Sequence, residues 1–157
     1  MSIRPKHSPD ETTDTFPQQT KLLKTKQHIL INERPCKITQ VKISKQGKHG
    51  YTKIFMEAVD IFNCQKHSEC FPHSIESVSM AKVSVKDYEL IDIDDDGYIE
   101  LVDEKGDSFE DEIQLFGEES QKLSSLFKNS LISKSTIFVK IQSSMDMHKV
   151  ISFVEKK

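Results

Sequence analysis

The feature that most constrains this chain is its rhythm: apolar residues recur at alternate positions in short runs separated by turn-forming residues. Gln27-His28-Ile29-Leu30-Ile31 is such a run, and Asn32-Glu33 after it reads as a turn. From Cys36 the residues alternate, with Cys36, Ile38, Gln40, Lys42 and Ser44 on one face and Lys37, Thr39, Val41 and Ile43 on the other. Residues 51–62 form a second long run rich in β-branched and aromatic side chains. Only residues 118–130 carry convincing helical spacing, with Leu123, Leu126 and Phe127 making an apolar stripe.

These runs predict an all-β protein. Strands are expected at 88–93, 98–102, 112–115, 135–141 and 150–154, and the helix falls between the third and fourth. Five strands with one short helix in that place is the arrangement of an OB-fold barrel. The boundary with the preceding strands is expected at 78–82, where Ser, Met and Ala interrupt the pattern. The organisation expected is a disordered tail over 1–15, a first domain over 16–82 and the OB-fold domain over 83–157.

A hydrophobic content of 36% and a mean hydropathy of -0.51 are low for a compact chain of 157 residues, in keeping with an unstructured part. The longest apolar stretches, such as Ile29-Leu30-Ile31 and Ile137-Phe138-Val139, are far too short to span a bilayer. The polar start has no apolar stretch of the signal-peptide kind, and three cysteines without framework spacing suggest reduced thiols. A cytoplasmic location and no membrane partner are therefore expected.

The net charge of -3 hides a strong segregation. Residues 21–53 hold nine Lys or Arg against Glu33 alone, whereas residues 92–112 hold eleven acids against Lys105 alone. The basic segment suits phosphate contact, and the acidic one should face solvent or a protein.

Within the basic segment, Lys45-Gln46-Gly47-Lys48-His49-Gly50 separates two long strands and is expected to reverse the chain. Gly47 and Gly50 permit positive backbone torsions and leave the tip bare, so Lys48 can project from it between Lys45 and Lys53. An ordinary basic hairpin turn would have the same composition. No neighbouring acid in the sequence neutralises this one, which favours a functional loop.

Ser44-Lys45-Gln46-Gly47-Lys48-His49-Gly50 is similar to the loop of the translation factor 5A family, whose lysine between glycine and His-Gly becomes hypusine. The resemblance extends through Phe16-Pro17, Arg34-Pro35-Cys36-Lys37-Ile38, Val59-Asp60-Ile61-Phe62, Tyr88-Glu89-Leu90-Ile91 and Asp96-Gly97-Tyr98, covering roughly residues 16–115. It implies an SH3-like barrel ahead of the OB-fold barrel. It also implies that deoxyhypusine synthase transfers an aminobutyl group from spermidine to Nε of Lys48, with no other cofactor. The expected partners are the large-subunit rRNA of the ribosome and the acceptor end of peptidyl-tRNA, rather than DNA. There the modified arm would favour peptide-bond formation at proline runs, and termination, with Lys45, Gly47, His49, Gly50 and Lys53 forming the loop and its RNA contacts. The chain departs from the family at Glu33 and Cys64, where glycine is usual, and at Gln46 and Tyr51-Thr52 beside the loop.

Two other patterns invite a metal. Residues 92–103 place acids and Gly97 much as a calcium-binding EF-hand loop does, but position twelve is Asp103 instead of glutamate and both flanks alternate like strands. An acidic β-turn is expected there. Cys64, His67, Cys70 and His73 recur at every third position, yet nothing brings two ligand pairs together, and an incidental loop is the better reading. No nucleophile-elbow, phosphate-loop or dinucleotide motif is present, so no enzymatic activity is expected. The alternative function is a generic RNA-binding module without a modified lysine. In that case the OB-fold half should carry the affinity, although it carries the acids.

Overall fold

The structure is a computed structural model that describes residues 14–46, 51–72 and 74–157, without the side chains of Gln46 and Tyr51. It divides into two compact units, Met1–Val83 and Ser84–Lys157.

The first unit is built from β1 (Thr15–Gln19), a single 3-10 turn (Thr20–Leu22), β2 (His28–Ile31), β3 (Arg34–Gln46), β4 (Tyr51–Asp60), β5 (Lys66–Phe71) and β6 (Ser77–Ala81). They form one antiparallel sheet in the order β1-β6-β2-β3-β4-β5, an SH3-like half-barrel. Three strands depart from the sequence expectation. Thr15, expected in the tail, opens β1, and the first thirteen residues lie outside the described ones. The pattern-poor stretch at 78–82 is mostly β6, which runs between β1 and β2 and buries Met80 and Ala81. Neighbours on both sides supply the ladder that Ser77, Ser79 and Ala81 would not favour by intrinsic propensity. β5 is polar because it is an edge strand.

The alternation read from Cys36 onward also changes. The register between β3 and β4 slips between Ile38 and Gln40, so Thr39 is the extra residue of a bulge, its hydroxyl donating to the Glu57 carbonyl at 3.2 Å. Past the bulge the faces exchange. Val41, opposite Met56, joins the core side, while Gln40 and Lys42 turn outward. That core is Leu23, Ile29, Ile31, Cys36, Ile38, Met56, Ala58 and Met80.

Two positions where the resemblance expects glycine lie in tight turns. Asn32 and Glu33 take φ of 53° and 63° between β2 and β3, and Cys64 takes φ of 64° between β4 and β5. Side chains are strained in this left-handed region and glycine is not. Glu33→Gly and Cys64→Gly are each expected to stabilise the first unit by about 0.5–1 kcal/mol, the strain relieved exceeding the added freedom of the unfolded chain. Thermal unfolding checks this: neither substitution raising Tm would contradict the assignment of strain.

The second unit comprises β7 (Ser84–Ile93), β8 (Tyr98–Val102), β9 (Ile113–Gln114), α1 (Gly117–Ser133), β10 (Thr136–Ser144) and β11 (Met147–Lys156). Its sheet order is β11-β10-β7-β8-β9, with the helix after the third strand, as the OB-fold reading requires. Leu123 is fully buried, and Leu126 and Phe127 pack beside it against a core that includes Leu90, Leu101, Ile137, Val139 and Ile141. The helix begins with Glu118 and Glu119 near its positive end and stops where Lys134 turns left-handed at φ 58°.

The acidic segment forms two turns of one design. Asp94 Oδ1 accepts from the backbone amides of Asp96 and Tyr98, both at 3.0 Å, and Asp103 Oδ1 accepts likewise from Lys105 and Asp107, both at 2.9 Å. Gly97 and Gly106 follow at φ of 92° and 87°. A Cβ on Gly97 would meet the Leu115 carbonyl oxygen at 2.1 Å, which accounts for glycine there. β7 leads into the EF-hand-like sequence, β8 lies inside it and a turn follows it, so no helix flanks it, and Asp94 is committed to its own backbone. Titration calorimetry with calcium is expected to show no micromolar site that Asp96→Ala removes. The acidic loop is also fastened at 111, where Asp111 Oδ2 meets His148 Nε2 at 2.7 Å, and His148 Nδ1 meets Ser143 Oγ at 2.6 Å.

Candidate functional site

β3 and β4 form the longest hairpin of the first unit, paired from Cys36↔Asp60 out to Gln46↔Tyr51. β3 therefore continues two residues further than the sequence suggests, whereas β4 begins at Tyr51 as expected. Lys45 and Gln46 lie in β3 because Thr52 and Tyr51 of β4 supply their ladder partners. Four residues join Gln46 to Tyr51, namely Gly47, Lys48, His49 and Gly50, and all four lie outside the described residues. The predicted site is thus approached through its two arms. Lys45 and Lys53 are both exposed, but Lys45 pairs with Thr52 and Lys53 with Ser44, so they occupy opposite faces of the hairpin. Among the described side chains of these arms, the last deeply buried one is Ile54, 5% exposed, whereas Ile43 opposite it is 62% exposed. The hairpin thus leaves the core before it reaches the lysines.

The other end of the hairpin is fixed. Asp60, the last residue of β4, has a fully buried carboxylate that takes Arg34 Nε at 2.5 Å and Nη2 at 3.3 Å. The same carboxylate accepts the Phe62 and Asn63 amides at 2.8 and 3.1 Å, closing the turn into β5. Burial alone would raise its pKa, but the hydrogen bonds from Arg34 and from these amides hold it below the ordinary carboxylate value. Cys36, directly opposite, is fully buried, and its thiol is pushed up to about 11, first by burial and then by the Asp60 charge. It is an inert core thiol. All three cysteines are free, and Cys64 and Cys70 are exposed.

This brace was not singled out from the sequence, although a signal existed. Strand alternation places Asp60 on the inward face with Ile54, Met56 and Ala58, and an inward acid calls for a cation. The zinc-like spacing does not converge among the described residues. His67 and Cys70 lie three apart on β5 and so face opposite sides, while His73 is outside the described residues. No described helix is long and apolar enough to cross a membrane.

The chain is similar to known proteins. Residues 13–75 match the family model "Translation initiation factor 5A-like, N-terminal", and residues 82–153 match "Eukaryotic elongation factor 5A hypusine, DNA-binding OB fold". The chain is 33% identical over 136 residues to Eukaryotic translation initiation factor 5A-1 of Medicago sativa, covering 87% of this chain and 83% of that protein. It is 35% identical over 141 residues to Eukaryotic translation initiation factor 5A-3 of Arabidopsis thaliana, covering 90% and 87%. Among solved structures, a translation initiation factor eif-5a family protein from Naegleria fowleri superposes with a TM-score of 0.73 at 29% identity, covering 92% of this chain and all of that one. The 5A factor of Methanococcus jannaschii shares the fold, with a TM-score of 0.67 at 20% identity over 90% of this chain and 96% of that one. With both units matched and relatives aligned along most of its length, the chain belongs to the translation factor 5A family and is a translation factor.

Proposed function

We propose that this factor binds the ribosome beside peptidyl-tRNA and uses Lys48, converted to hypusine, to hold the tRNA acceptor end in productive geometry. The observation that carries this reading is the long β3–β4 hairpin, braced at its base by Arg34 and Asp60, whose arms the sequence Gly47-Lys48-His49-Gly50 joins. A lysine has one charge on a four-carbon stem; adding an aminobutyl group gives two amines on a longer arm. Such an arm reaches into RNA while the protein body stays outside. The contribution is positioning of an existing reactant, and the factor itself makes and breaks no bond. Deoxyhypusine synthase is the modifying enzyme, and the cytoplasm, where ribosomes translate, is the compartment. Peptide mass spectrometry of native protein is expected to find the added group on Lys48; finding it instead on Lys45 or Lys53 would overturn the assignment.

The charge argument has its own consequence. If Lys45, Lys48 and Lys53 each displace a counterion from phosphate, a fourfold rise in salt weakens ribosome affinity about 20- to 40-fold. Neutralising any one of the three should flatten the salt dependence by roughly one contact. Affinity that ignores salt would point to a protein-only docking surface.

A further inference from the structure

The outward face of β3, β4 and β5 carries a feature that the Lys48 loop does not use. Past the Thr39 bulge, cross-strand partners line up in rows on this face: Gln40, Glu57 and Ser68, then Lys42, Phe55 and Cys70, then Ser44 and Lys53. Before the bulge the row is Lys37, Val59 and Lys66. Phe55 stands at the middle of the central strand of the three, 42% exposed. Among the described residues, Lys42 stands beside it, Lys53 is one row away and Lys37 and Lys66 are two rows away on the same face, against Glu57 on the face and Glu69 on the neighbouring rim. A shallow groove runs beside the ring, lined by Gln40, Lys42, Glu57, Ser68, Glu69 and Cys70.

A single half-exposed ring is ordinary on a protein surface, and it is the lysines on the same face that point to a ligand. A lysine-rich surface attracts a polyanion, and a ring between lysines offers a stacking surface that only an unpaired base can use. A duplex keeps its bases stacked on each other, so its phosphates can meet the lysines but nothing reaches Phe55. Gln40 and Ser68 add donors and acceptors beside the ring for a base edge.

We propose that this face is a binding site for single-stranded RNA, in which a base stacks on Phe55 while Lys42, Lys53 and Lys66 hold flanking phosphates. The site extends the ribosome-binding reading by a second contact on the same unit, but it needs neither hypusine nor the ribosome to operate. It can therefore be tested with the unmodified full chain.

The probe is a fluorescein-labelled oligouridine of about ten nucleotides, long enough to cross one such face, titrated at low salt. Phe55→Leu, which keeps an apolar side chain at this exposed position, is expected to weaken binding on the order of tenfold, and Phe55→Tyr to restore it. Lys42→Gln and Lys66→Gln should each reduce the salt slope by about 0.7. A duplex of the same length should bind more weakly than the single strand. If Phe55→Leu binds like the native chain, or the duplex binds as well as the single strand, the face is only electrostatic and the proposal falls. Displacement of the RNA by an equally short polyglutamate at lower concentration would assign the face to an acidic protein instead. Each of these failures would leave the role of Lys48 standing, since that role is read in translation and not in this titration.

Discussion

Lys48→Arg is expected to abolish relief of stalling at proline runs while leaving the fold untouched. Arginine keeps the positive charge and nearly the same reach, but its guanidinium is not the primary amine that accepts the aminobutyl group. Stability should move by less than about 0.5 kcal/mol, because the strand ladder ends at Gln46↔Tyr51, before Lys48. Docking on the ribosome should weaken only partly, since Lys45 and Lys53 remain on the hairpin arms to meet phosphate. The catalytic benefit should nevertheless vanish, because it depends on reaching the acceptor end and not on affinity. A reconstituted translation assay on a polyproline message compares modified native protein with the variant. Equal rates would reduce the loop lysine to one more phosphate contact, and the proposed mechanism would have to be abandoned.

What the sequence revealed depended on how regular each element was. β8 was legible to its ends, and α1 to within a few residues, because their apolar periods are unbroken and their boundaries carry Gly97 and Gly117. β6 was illegible because Ser77, Ser79 and Ala81 favour no strand; what makes it one is pairing with β1 and β2, which are distant in sequence. β5 was missed because an edge strand is free to be polar. The faces of β3 were misread because one extra residue, Thr39, inverts everything after it, and no local propensity marks a bulge. That inversion puts Lys42 beside Phe55 on the outer face. Glu33 and Cys64 stood out only as departures from glycine, and the physical reason, a positive φ at both, emerged with the turns. The lysine loop itself rests on its motif, since Gly47, Lys48, His49 and Gly50 lie outside the described residues.

The largest stability effect is expected at Asp60. Its carboxylate is fully buried and receives four donors: two from Arg34 and the amides of Phe62 and Asn63. Asp60→Ala leaves those two amides without an acceptor and opens a small cavity beneath the β4–β5 turn. Arg34 is partly exposed and can turn to water, so its loss is discounted. The expected cost is about 3 kcal/mol for the first unit, which would lower its Tm by on the order of 10–20 °C. Asp60→Asn retains a carbonyl oxygen for the amides and gives up the charge, so its cost should be about half as large. The acid dependence separates charge from shape. Because the folded pKa lies below the ordinary value near 3.8, the charged carboxylate stabilises the fold at all pH above that value. This contribution is lost as pH falls from about 3.8 through the lower folded pKa. The stability gap between native protein and Asp60→Asn should thus be constant from neutrality down to mild acid and close only below it. A gap of zero at neutral pH would mean that the buried pair adds nothing over a neutral hydrogen-bonding side chain. A gap that closed near pH 6 would mean that another group, and not Asp60, sets the acid sensitivity of the hairpin's base.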